Sequence, residues 1–428
     1  SFGFGDDEVR ISLPQERVIN IVEGTPALAI TDVEAAVKEA LHHPIGAPPL
    51  KDVVQPGDKV VIIASDITRK WVRHDLFLPP LLNELNTAGI PDAHISLVVA
   101  LGAHRHHTAE ENILNFGQQV VDRVSIVQSY APASDEFVCI GKTPRGTEVF
   151  INKHVVAADK VIITGGIVHH LMAGFGGGRK AIIPGVAGYS TIQENHRFCL
   201  HKEVGQGVSQ ECVAGELEGN PMHEDMVEMA KLLNPAFLLN AVFTPNGQFA
   251  RFVAGHWYEA WLEGCTTAQR IFGVPVHGKA DLVIASAGGF PKDINLYQGA
   301  KAVGNASMAA KPDGVVILLL ECRDIMEPPD FSEWFNYESL YEREMALRKA
   351  FTVPGFVALK LGSMAKEIPH ILVSLPKNKK FIEKSGMIAA TSIEEAIGIA
   401  EKKLGRTDYT ITVMAHAANT VPFDHGAE

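Results

Sequence analysis

Short apolar runs recur along the chain, and each ends in glycine or polar residues before a stretch with helical periodicity. In the first half these runs are Lys59–Ala64, Ile95–Leu101 and Lys160–Thr164. They are continuous in Val, Ile and Leu instead of alternating between apolar and polar positions, which is typical of parallel strands buried on both faces. The pattern therefore predicts an α/β protein with mainly parallel sheets.

The same pattern restarts after about residue 272. The later apolar runs are Leu282–Gly289, Gly314–Glu321, Ile371–Leu375 and Tyr409–Met414. We therefore predict an N-terminal α/β domain over residues 1–272 and a C-terminal α/β domain over residues 273–414, with Gly273–Pro275 as the hinge. The tail, residues 415–428, is a candidate for a return to the first domain, and the active site is expected in the cleft between the two domains.

Polar residues follow the first-half runs at the points where the strands are predicted to end. Four of them carry useful chemistry: Asp66, Arg69, His104 and His170. Ligands of open α/β sheets bind at the carboxyl edge, where the ends of neighbouring parallel strands meet. We therefore expect these four side chains to be neighbours in space although they are far apart in sequence.

A glycine-rich stretch after the third run carries a single lysine. This glycine loop, residues 173–180, contains Gly174, Gly176, Gly177 and Gly178 and ends at Lys180. Glycines allow main-chain N–H groups to close around an anion, and a lysine held in such a loop is placed for ionic or covalent work on a bound ligand. The stretch therefore predicts an anion-binding or cofactor-binding loop.

Other interpretations of the glycine loop can be weighed from its spacing. A P-loop is excluded, because Arg179 stands where the second glycine is required and Ala181 where Ser or Thr would hold Mg²⁺. A lysine that forms a Schiff base with pyridoxal phosphate stays open, and so does a purely structural glycine turn.

Histidines occur near three of the predicted strand ends and helix starts. His104 follows the second run, His170 precedes the glycine loop, and His196 lies in a predicted helix start. Imidazole titrates near neutral pH and can serve as acid, base or metal ligand. A metal cluster of His104 with His106 and His107 is a less favoured alternative, because adjacent side chains point apart and no Asp or Glu follows at a ligand spacing.

In the second half, residues 292–303 have the pattern of a helix after a glycine-rich strand end. Tyr297 precedes Lys301 by four residues and Gln298 precedes it by three, so all three side chains can share one helix face. Together a phenol, an amide and an ammonium group could bind a carboxylate. An amphipathic helix with its lysine in solvent remains the plainer alternative.

Composition narrows the class of protein. The chain has 428 residues, of which 46% are hydrophobic and 21% charged, and its formal net charge is −12. No apolar run approaches the ~20 residues of a membrane helix, and the chain start lacks the pattern of a signal peptide. The acidic balance disfavours nucleic acid as a partner, and five scattered cysteines argue against a disulfide framework or a structural zinc site. We expect a cytoplasmic enzyme.

Five motifs occur together in one order along nearly the whole chain. They are Asp66-x-Thr68-Arg69, Gly102-Ala103-His104-Arg105, His170-x-x-Ala173-Gly174-Phe175-x-Gly177-Gly178-x-Lys180-x-x-x-Pro184-Gly185, Asn195-His196 and Tyr297-Gln298-x-x-Lys301. In this order the motifs resemble the lactate racemase family, whose members use a nickel-pincer nucleotide. The resemblance implies a 2-hydroxyacid racemase or epimerase that works by reversible hydride transfer.

The resemblance also implies a role for each matching residue. Lys180 matches the lysine that tethers the nickel-pincer nucleotide (nickel pyridinium-3-thioamide-5-thiocarboxylic acid mononucleotide), and His196 matches the nickel ligand. His104 and His170 match the two acid/base histidines. The substrate carboxylate is expected to contact Arg69, Tyr297, Gln298 and Lys301. Asp66, Thr68 and the glycines of the glycine loop are expected near the ribose and phosphate of the cofactor.

Departures from the family pattern concern the substrate. Lys70 and Trp71 follow the first motif where family members commonly have proline, and His106–His107 and His169 add imidazoles. Lactate, a larger sugar acid and a dicarboxylic hydroxy acid all stay open as the small-molecule substrate, and cofactor-biosynthesis proteins are possible partners. From another class, a carrier that holds the cofactor without turnover is the alternative, although histidines at both acid/base positions favour the enzyme.

Overall fold

A computed structural model describes residues 1–424 of the chain. Its contacts divide the chain into two compact units. The N-terminal unit consists of Pro26–Phe198 and Glu211–Ile271, and the C-terminal unit of Ser1–Thr25, Cys199–Gln210 and the chain from Phe272 onward. Each unit is an α/β fold built on a mainly parallel six-stranded sheet, as the sequence predicts.

The strands of the described residues are, in chain order, β1 (Phe2–Phe4), β2 (Asp7–Val9), β3 (Val18–Ile21), β4 (Val60–Ser65), β5 (Ile95–Gly102), β6 (Ser125–Tyr130), β7 (Phe137–Lys142), β8 (Glu148–Asn152), β9 (Lys160–Ile167), β10 (His169–His170), β11 (Gly174–Phe175), β12 (Phe237–Phe243), β13 (Phe249–Gly255), β14 (Gly273–Val276), β15 (Ala280–Ser286), β16 (Ala310–Leu319), β17 (His370–Val373), β18 (Ile388–Ala390), β19 (Ile411–Met414) and β20 (Val421–Asp424).

The α-helices of the same residues are α1 (Val33–His42), α2 (Leu50–Val53), α3 (His74–Thr87), α4 (Ala109–Phe116), α5 (Gln118–Arg123), α6 (Lys153–Val156), α7 (Tyr189–Arg197), α8 (Pro221–Leu233), α9 (Glu259–Phe272), α10 (Leu296–Met308), α11 (Pro329–Ser332), α12 (Leu340–Lys349), α13 (Val353–Glu367), α14 (Lys379–Lys384) and α15 (Ile393–Leu404). No helix within residues 1–424 combines the length and the apolar character needed to cross a membrane.

The sheet of the N-terminal unit has the strand order β13-β12-β9-β4-β5-β6, and only β13 runs antiparallel to its neighbour. Its central strands are buried along their length, which explains the continuous apolar runs in the sequence. Residues of α1 and α3, such as Leu41 and Phe77, pack in the same core as Ile62 of β4. The strand ends β4, β5 and β9 share one edge because these strands are parallel.

The sheet of the C-terminal unit has the order β18-β17-β16-β15-β19-β3 and is parallel throughout. Its edge strand β3 comes from the chain start, where Val18 pairs with Ile411. The N-terminal boundary therefore differs from the predicted domain of residues 1–272. A single apolar–polar pattern cannot tell which of two sheets a short strand joins, because that choice depends on pairing across nearly 400 residues.

Three further segments also differ from the sequence prediction. Residues 199–210 belong to the C-terminal unit, and Gly273–Pro275, predicted as a hinge, lies within strand β14. This strand pairs in parallel with β20, so the tail stays with the C-terminal unit as far as it is described. The prediction for the last residues, 425–428, lies outside the described residues.

Helix α10 begins later than its sequence pattern suggests. Asn295 caps the helix, because its side-chain oxygen accepts the N–H of Gln298 at 2.8 Å. Residues 292–295 therefore precede the helix, while Tyr297 and Lys301 lie on it.

Candidate active site

The end of β5, which leads to His104, packs against Pro184 and Gly185, the last residues of the sequence motif that contains the glycine loop. Gly102 ends β5 with a φ of 55°, and its N–H donates to the carbonyl of Gly185 at 3.0 Å. A Cβ at Gly102 would lie 3.3 Å from the carbonyl oxygen of Pro184. The positive φ and the close approach both favour glycine here, and they bring two of the sequence motifs together.

Asp66 and His104 form a hydrogen-bonded pair at this edge. Nδ1 of His104 is 2.6 Å from Asp66 Oδ2, and the Thr68 hydroxyl donates to Oδ1 at 2.6 Å. Burial by itself raises the pKa of Asp66, but the hydrogen bonds from His104 and Thr68 outweigh it and hold that pKa below its usual value. The ionised carboxylate accepts the Nδ1–H of His104, so this contact selects the tautomer of neutral imidazole that has its lone pair on Nε2.

Arg69 lies beside this pair on the 3-10 turn Ile67–Val72. Its Nη1 donates to the carbonyl and the hydroxyl of Thr68, at 3.3 and 3.2 Å. The positive charge contributes to lowering the pKa values of both Asp66 and His170. Arg69 is thus a partly solvated cation close to both predicted acid/base regions.

The three-histidine metal cluster that the sequence left open is not formed by the described residues. His107 is buried, accepts the N–H of Ile67 at Nε2 (2.7 Å), and contacts Asn112 through Nδ1 (3.0 Å). Both ring nitrogens therefore have protein partners, and Nε2 holds the start of the 3-10 turn. His106 packs on Tyr130, with ring centroids 4.7 Å apart.

The glycines of the glycine loop are required by packing within the protein. Gly174, Gly177 and Gly178 all have positive φ, at 71°, 67° and 53°. A Cβ at Gly177 would lie 2.6 Å from Oδ1 of Asn240, and one at Gly178 would lie 2.5 Å from Cδ1 of Trp261. Larger residues would displace the loop from these neighbours, so the structural interpretation of the glycines holds at these positions.

Two loop amides have protein partners. The N–H of Gly176 donates to the carbonyl of Val168 at 2.7 Å, and the N–H of Gly178 donates to Oδ1 of Asn240 at 2.8 Å. These two groups do not form the open anion nest that the sequence suggested. The assignment of the glycines to cofactor binding stays a prediction. Its support is the shape of the loop more than the N–H groups of Gly176 and Gly178, because both groups already have protein partners.

His170 lies in a cationic environment. Its Nδ1 accepts the N–H groups of Met172 and Ala173, at 3.3 and 3.2 Å. Burial lowers the pKa of His170 well below its ordinary value, and the nearby positive charges of Lys180 and Arg69 lower it further. The ring is therefore neutral at physiological pH, and its single proton is on Nε2.

His196 is buried on α7, where its Nδ1 lies 2.9 Å from the carbonyl oxygen of Ile192. This carbonyl can only accept, so Nδ1 carries the proton and Nε2 carries the lone pair. Burial, followed by the charge of Lys180, lowers the pKa of His196 to about 3. Neutral imidazole is the form that binds a metal. Groups of three or more His, Cys, Asp or Glu side chains that could hold a metal by themselves do not occur within residues 1–424.

The carboxylate-binding residues predicted in the second half lie on α10 of the C-terminal unit. The ring of Tyr297 packs against Phe331, with centroids 5.3 Å apart. Gln298 and Lys301 follow on the same helix, in its first two turns. Helix α10 starts just beyond the carboxyl end of β15, which is where ligands bind in parallel α/β sheets.

Sequence reasoning missed the residues that support the glycine loop. Arg179 is fully buried, and Trp261 of α9 donates from Nε1 to the carbonyl of Gly176 at 2.9 Å. Asn240 of β12 accepts the Gly178 amide, as described above. Arg179 was considered only as a departure from a P-loop, and an isolated tryptophan or asparagine gives no signal in a single sequence.

Comparison with known proteins identifies the family of the chain. Residues 4–207 match the model of the lactate racemase N-terminal domain, and residues 276–421 match that of the lactate racemase C-terminal domain. The lactate racemase of Thermoanaerobacterium thermosaccharolyticum is 32% identical over 98% of this chain and 97% of its own length. That of Lactiplantibacillus plantarum is 34% identical over 68% of this chain and 66% of its own length.

Solved structures show the same relationship. The lactate racemase apoprotein of T. thermosaccharolyticum superposes with a TM-score of 0.85 and 31% identity, over 99% of each chain. A Thermotoga maritima protein shares the fold, with a TM-score of 0.60 and 14% identity over 94% of this chain and 100% of the other. The protein is thus an enzyme of the isomerase class. It belongs to the lactate racemase family.

Proposed function

We propose that this protein is a 2-hydroxyacid racemase or epimerase that inverts the hydroxyl-bearing carbon of a lactate-like acid with the help of a nickel-pincer nucleotide. The observation that carries the proposal is that the charge of Arg69 acts on Asp66, the partner of His104, and also on His170, which lies near Lys180 as well. Two imidazoles beside a group of cations suit a substrate with a hydroxyl and a carboxylate.

The residues present fit the proposed cofactor. His196 has its Nε2 lone pair and a neutral ring, which is the donor that nickel accepts beside sulfur ligands. One protein imidazole is enough when the nucleotide supplies the other ligands, which is compatible with the lack of a larger metal-binding group among the described residues. The charges of Lys180 and Arg69 suit an anionic nucleotide.

Lys180 would hold the nucleotide covalently. Its amine would be joined by a C–N bond to a thiocarboxylic acid carbon of the nucleotide, with loss of water from the acid's hydroxyl and a proton of the amine, so that no oxidant or reductant would be consumed. When bound, the nickel-pincer nucleotide supplies a carbon that accepts the C2 hydride of the substrate and returns it.

His104 is proposed to take the hydroxyl proton of the substrate. Asp66 accepts the Nδ1–H of His104, so the Nε2 lone pair is available for this proton, and the carboxylate stabilises the imidazolium that results. Proton removal from oxygen and hydride removal from carbon together avoid a carbanion next to an ionised carboxylate, which would be very unstable.

His170 is proposed to serve the opposite face of the substrate. Its Nε2–H can donate to the substrate oxygen while its Nδ1 is held by the Met172 and Ala173 amides. To supply a proton to the product oxygen from Nε2, His170 would have to carry a second proton on Nδ1, and it would return to the neutral ring afterwards. In the reverse direction it would take the hydroxyl proton on Nε2 and keep the other proton on Nδ1.

The substrate carboxylate is proposed to bind Arg69, together with Tyr297, Gln298 and Lys301 of α10. These groups provide a guanidinium, a phenol, an amide and an ammonium, all of which can donate to carboxylate oxygens. Lactate and larger 2-hydroxy acids share this carboxylate and hydroxyl. A cytoplasmic location and dependence on cofactor-biosynthesis proteins follow as further parts of the proposal.

Isotope labelling tests the reaction. Substrate carrying deuterium at C2 is turned over in ordinary water, and the inverted product is examined by chiral chromatography and mass spectrometry. We expect most of the deuterium to stay in the product, because hydride on a cofactor carbon does not exchange with solvent. Extensive loss of the label at low conversion would instead point to a two-base proton-transfer racemase.

Intact-protein mass tests the cofactor. Protein produced with the cofactor pathway is expected to carry one mononucleotide-sized adduct and one nickel per chain, and the Lys180→Ala variant is expected to lack both. Full activity of Lys180→Ala would contradict the tether. An adduct without any inversion of hydroxy acids would favour the carrier.

A further inference from the structure

Arg179 is the residue directly before Lys180, and it is completely buried. No carboxylate of the described residues forms an ion pair with it. Burial lowers the pKa of Arg179 to about 10, so the guanidinium remains charged at neutral pH. A buried charge without a counter-ion is expensive, and an aliphatic residue could fill the same space, so the directional donors of this side chain must be in use.

The guanidinium holds the glycine loop from the inside. Nη1 donates to the carbonyl of Phe175 at 2.8 Å, Nη2 to the carbonyl of Ala173 at 2.6 Å, and Nε to Nδ1 of His223 at 3.1 Å. The planar group also lies over the ring of Trp261, at 4.0 Å from its centroid. Each of the three guanidinium nitrogens therefore donates a hydrogen bond within the protein, and one face of the group packs on an aromatic ring.

The same contacts orient Lys180. Arg179 and Lys180 are consecutive residues of the 3-10 turn Gly178–Ala181, and successive side chains of such a turn point about 120° apart. Once the Arg179 side chain is fixed in the core, the side from which the Lys180 side chain leaves the backbone is fixed as well. Trp261 reinforces this arrangement because it contacts Arg179 and also binds the carbonyl of Gly176.

We propose that Arg179 is a positioning residue that holds the glycine loop in the conformation in which Lys180 can form its covalent bond to the cofactor. The proposal rests on the proposed function of Lys180. It assigns to Arg179 no contact with cofactor or substrate.

Two variants and a matched control test this role. Arg179→Met keeps the aliphatic stem and removes the donors, and Arg179→Lys keeps the charge and restores a single donor group. Arg343→Met is the control, because Arg343 is also buried, donates to a carbonyl (Ala358, 2.8 Å) and lies over an aromatic ring (Phe335, 4.6 Å), but belongs to the C-terminal unit.

The first measurement is hydrogen exchange of the apoprotein, which needs no cofactor. The amides of Gly176 and Gly178 are expected to exchange at least ten-fold faster in Arg179→Met than in the parent, and at the parent rate in Arg343→Met. Fluorescence of Trp261, compared with a Trp261→Phe background, should change in Arg179→Met only. Parent-like exchange in a folded Arg179→Met protein would overturn the proposal.

The second measurement is the fraction of chains with an adduct on Lys180 after production with the cofactor pathway. We expect at least a ten-fold loss in Arg179→Met, partial recovery in Arg179→Lys and no loss in Arg343→Met. An equal loss of the adduct in both methionine variants would mean that Arg179 only stabilises the fold, and it would overturn the proposal.

If the parent carries no adduct, the proposed function fails, whereas the exchange measurement still decides the role of Arg179. If Arg179→Met does not fold, the Arg179→Lys protein decides by the same two measurements.

Discussion

The loop that carries His104 and the loop that carries His170 present the same side chain in opposite surroundings. His104 is about half exposed, with 54% of its side chain accessible, and it binds the carboxylate of Asp66. His170 is partly buried, accepts two backbone N–H groups, and lies near the charges of Lys180 and Arg69. The His104 loop holds its imidazole against a carboxylate, whereas burial and cations on the His170 loop oppose an added proton on that imidazole.

The difference shows that a pair of equivalent histidines in sequence need not be equivalent in structure. His104 can accept a proton on Nε2 while Asp66 balances the charge. His170 can hold a second proton only on Nδ1, where the amides of Met172 and Ala173 now donate. These two amides must therefore move aside in any step in which His170 is doubly protonated.

Removing the Asp66 carboxylate that pairs with His104 should lower the rate of racemisation more than any other change proposed here. In Asp66→Asn the amide can donate to Nδ1, which favours the wrong tautomer of His104 and removes the balancing charge. We expect the rate of racemisation to fall by about 10²–10⁴-fold, with the fold unchanged. Steady-state kinetics and circular dichroism measure both. Asp75→Asn, which alters a nearby ion pair with Arg73, is the control and should retain the parent rate.

Removing a cation shared by both loops should have the next largest effect. Arg69→Ala is expected to lower kcat/KM by about ten-fold or more, because a charge-assisted hydrogen bond to the substrate is worth roughly 1.5–3 kcal/mol. Arg73→Ala, at the other end of the same turn, should change kcat/KM little, since its guanidinium binds Asp75. Equal kinetics for Arg69→Ala and the parent would exclude Arg69 from the carboxylate site.

His74 shows how burial without neighbouring cations changes the pKa of a histidine. It is completely buried among Phe77 and Phe116, and burial lowers its pKa to about 3. The unfolded chain takes up a proton below pH 6.5 and the folded chain does not, so His74 should reduce stability as the pH falls from 6.5 toward 3. Between pH 7 and pH 5 this loss is about 2 kcal/mol.

His74→Phe should abolish that part of the acid sensitivity. Urea unfolding at pH 7 and pH 5 measures it, and the loss of unfolding free energy should be about 2 kcal/mol smaller in the variant than in the parent. His94→Phe, at an exposed position, should behave like the parent. An unchanged pH dependence in His74→Phe would mean that His74 is already protonated in the folded protein.

The smallest effect on the kinetics is expected from a substitution in the C-terminal unit. Tyr297→Phe keeps the ring that packs on Phe331 and removes only the hydroxyl. A hydrogen bond to the substrate of about 0.5–1.5 kcal/mol would then be lost, which corresponds to a rise in KM of a few-fold. Tyr337→Phe, whose ring contacts Trp334, is the matched control. If Tyr297→Phe had the same KM as the parent, the hydroxyl would not contact the substrate.

The buried strands were the most predictable part of the fold. Runs such as Lys59–Ala64 and Ile95–Leu101 correspond to β4 and β5 within a residue or two, because parallel strands with two buried faces need continuous apolar sequence. Strand β3 and the start of α10 were not predicted, since they depend on pairing with β19 and on the Asn295 cap.

The amino-acid sequence was sufficient to predict the α/β class, the family, and the residue types that can carry acid/base and cofactor chemistry, because local patterns and ordered motifs encode them. The folded structure was needed to show that His104 is paired with Asp66, that His170 lies near cations and backbone donors, and that Arg179 holds the loop before Lys180. Hydrogen-bond partners and burial are set by residues distant in the chain, and they determine protonation and orientation, which residue identity alone does not.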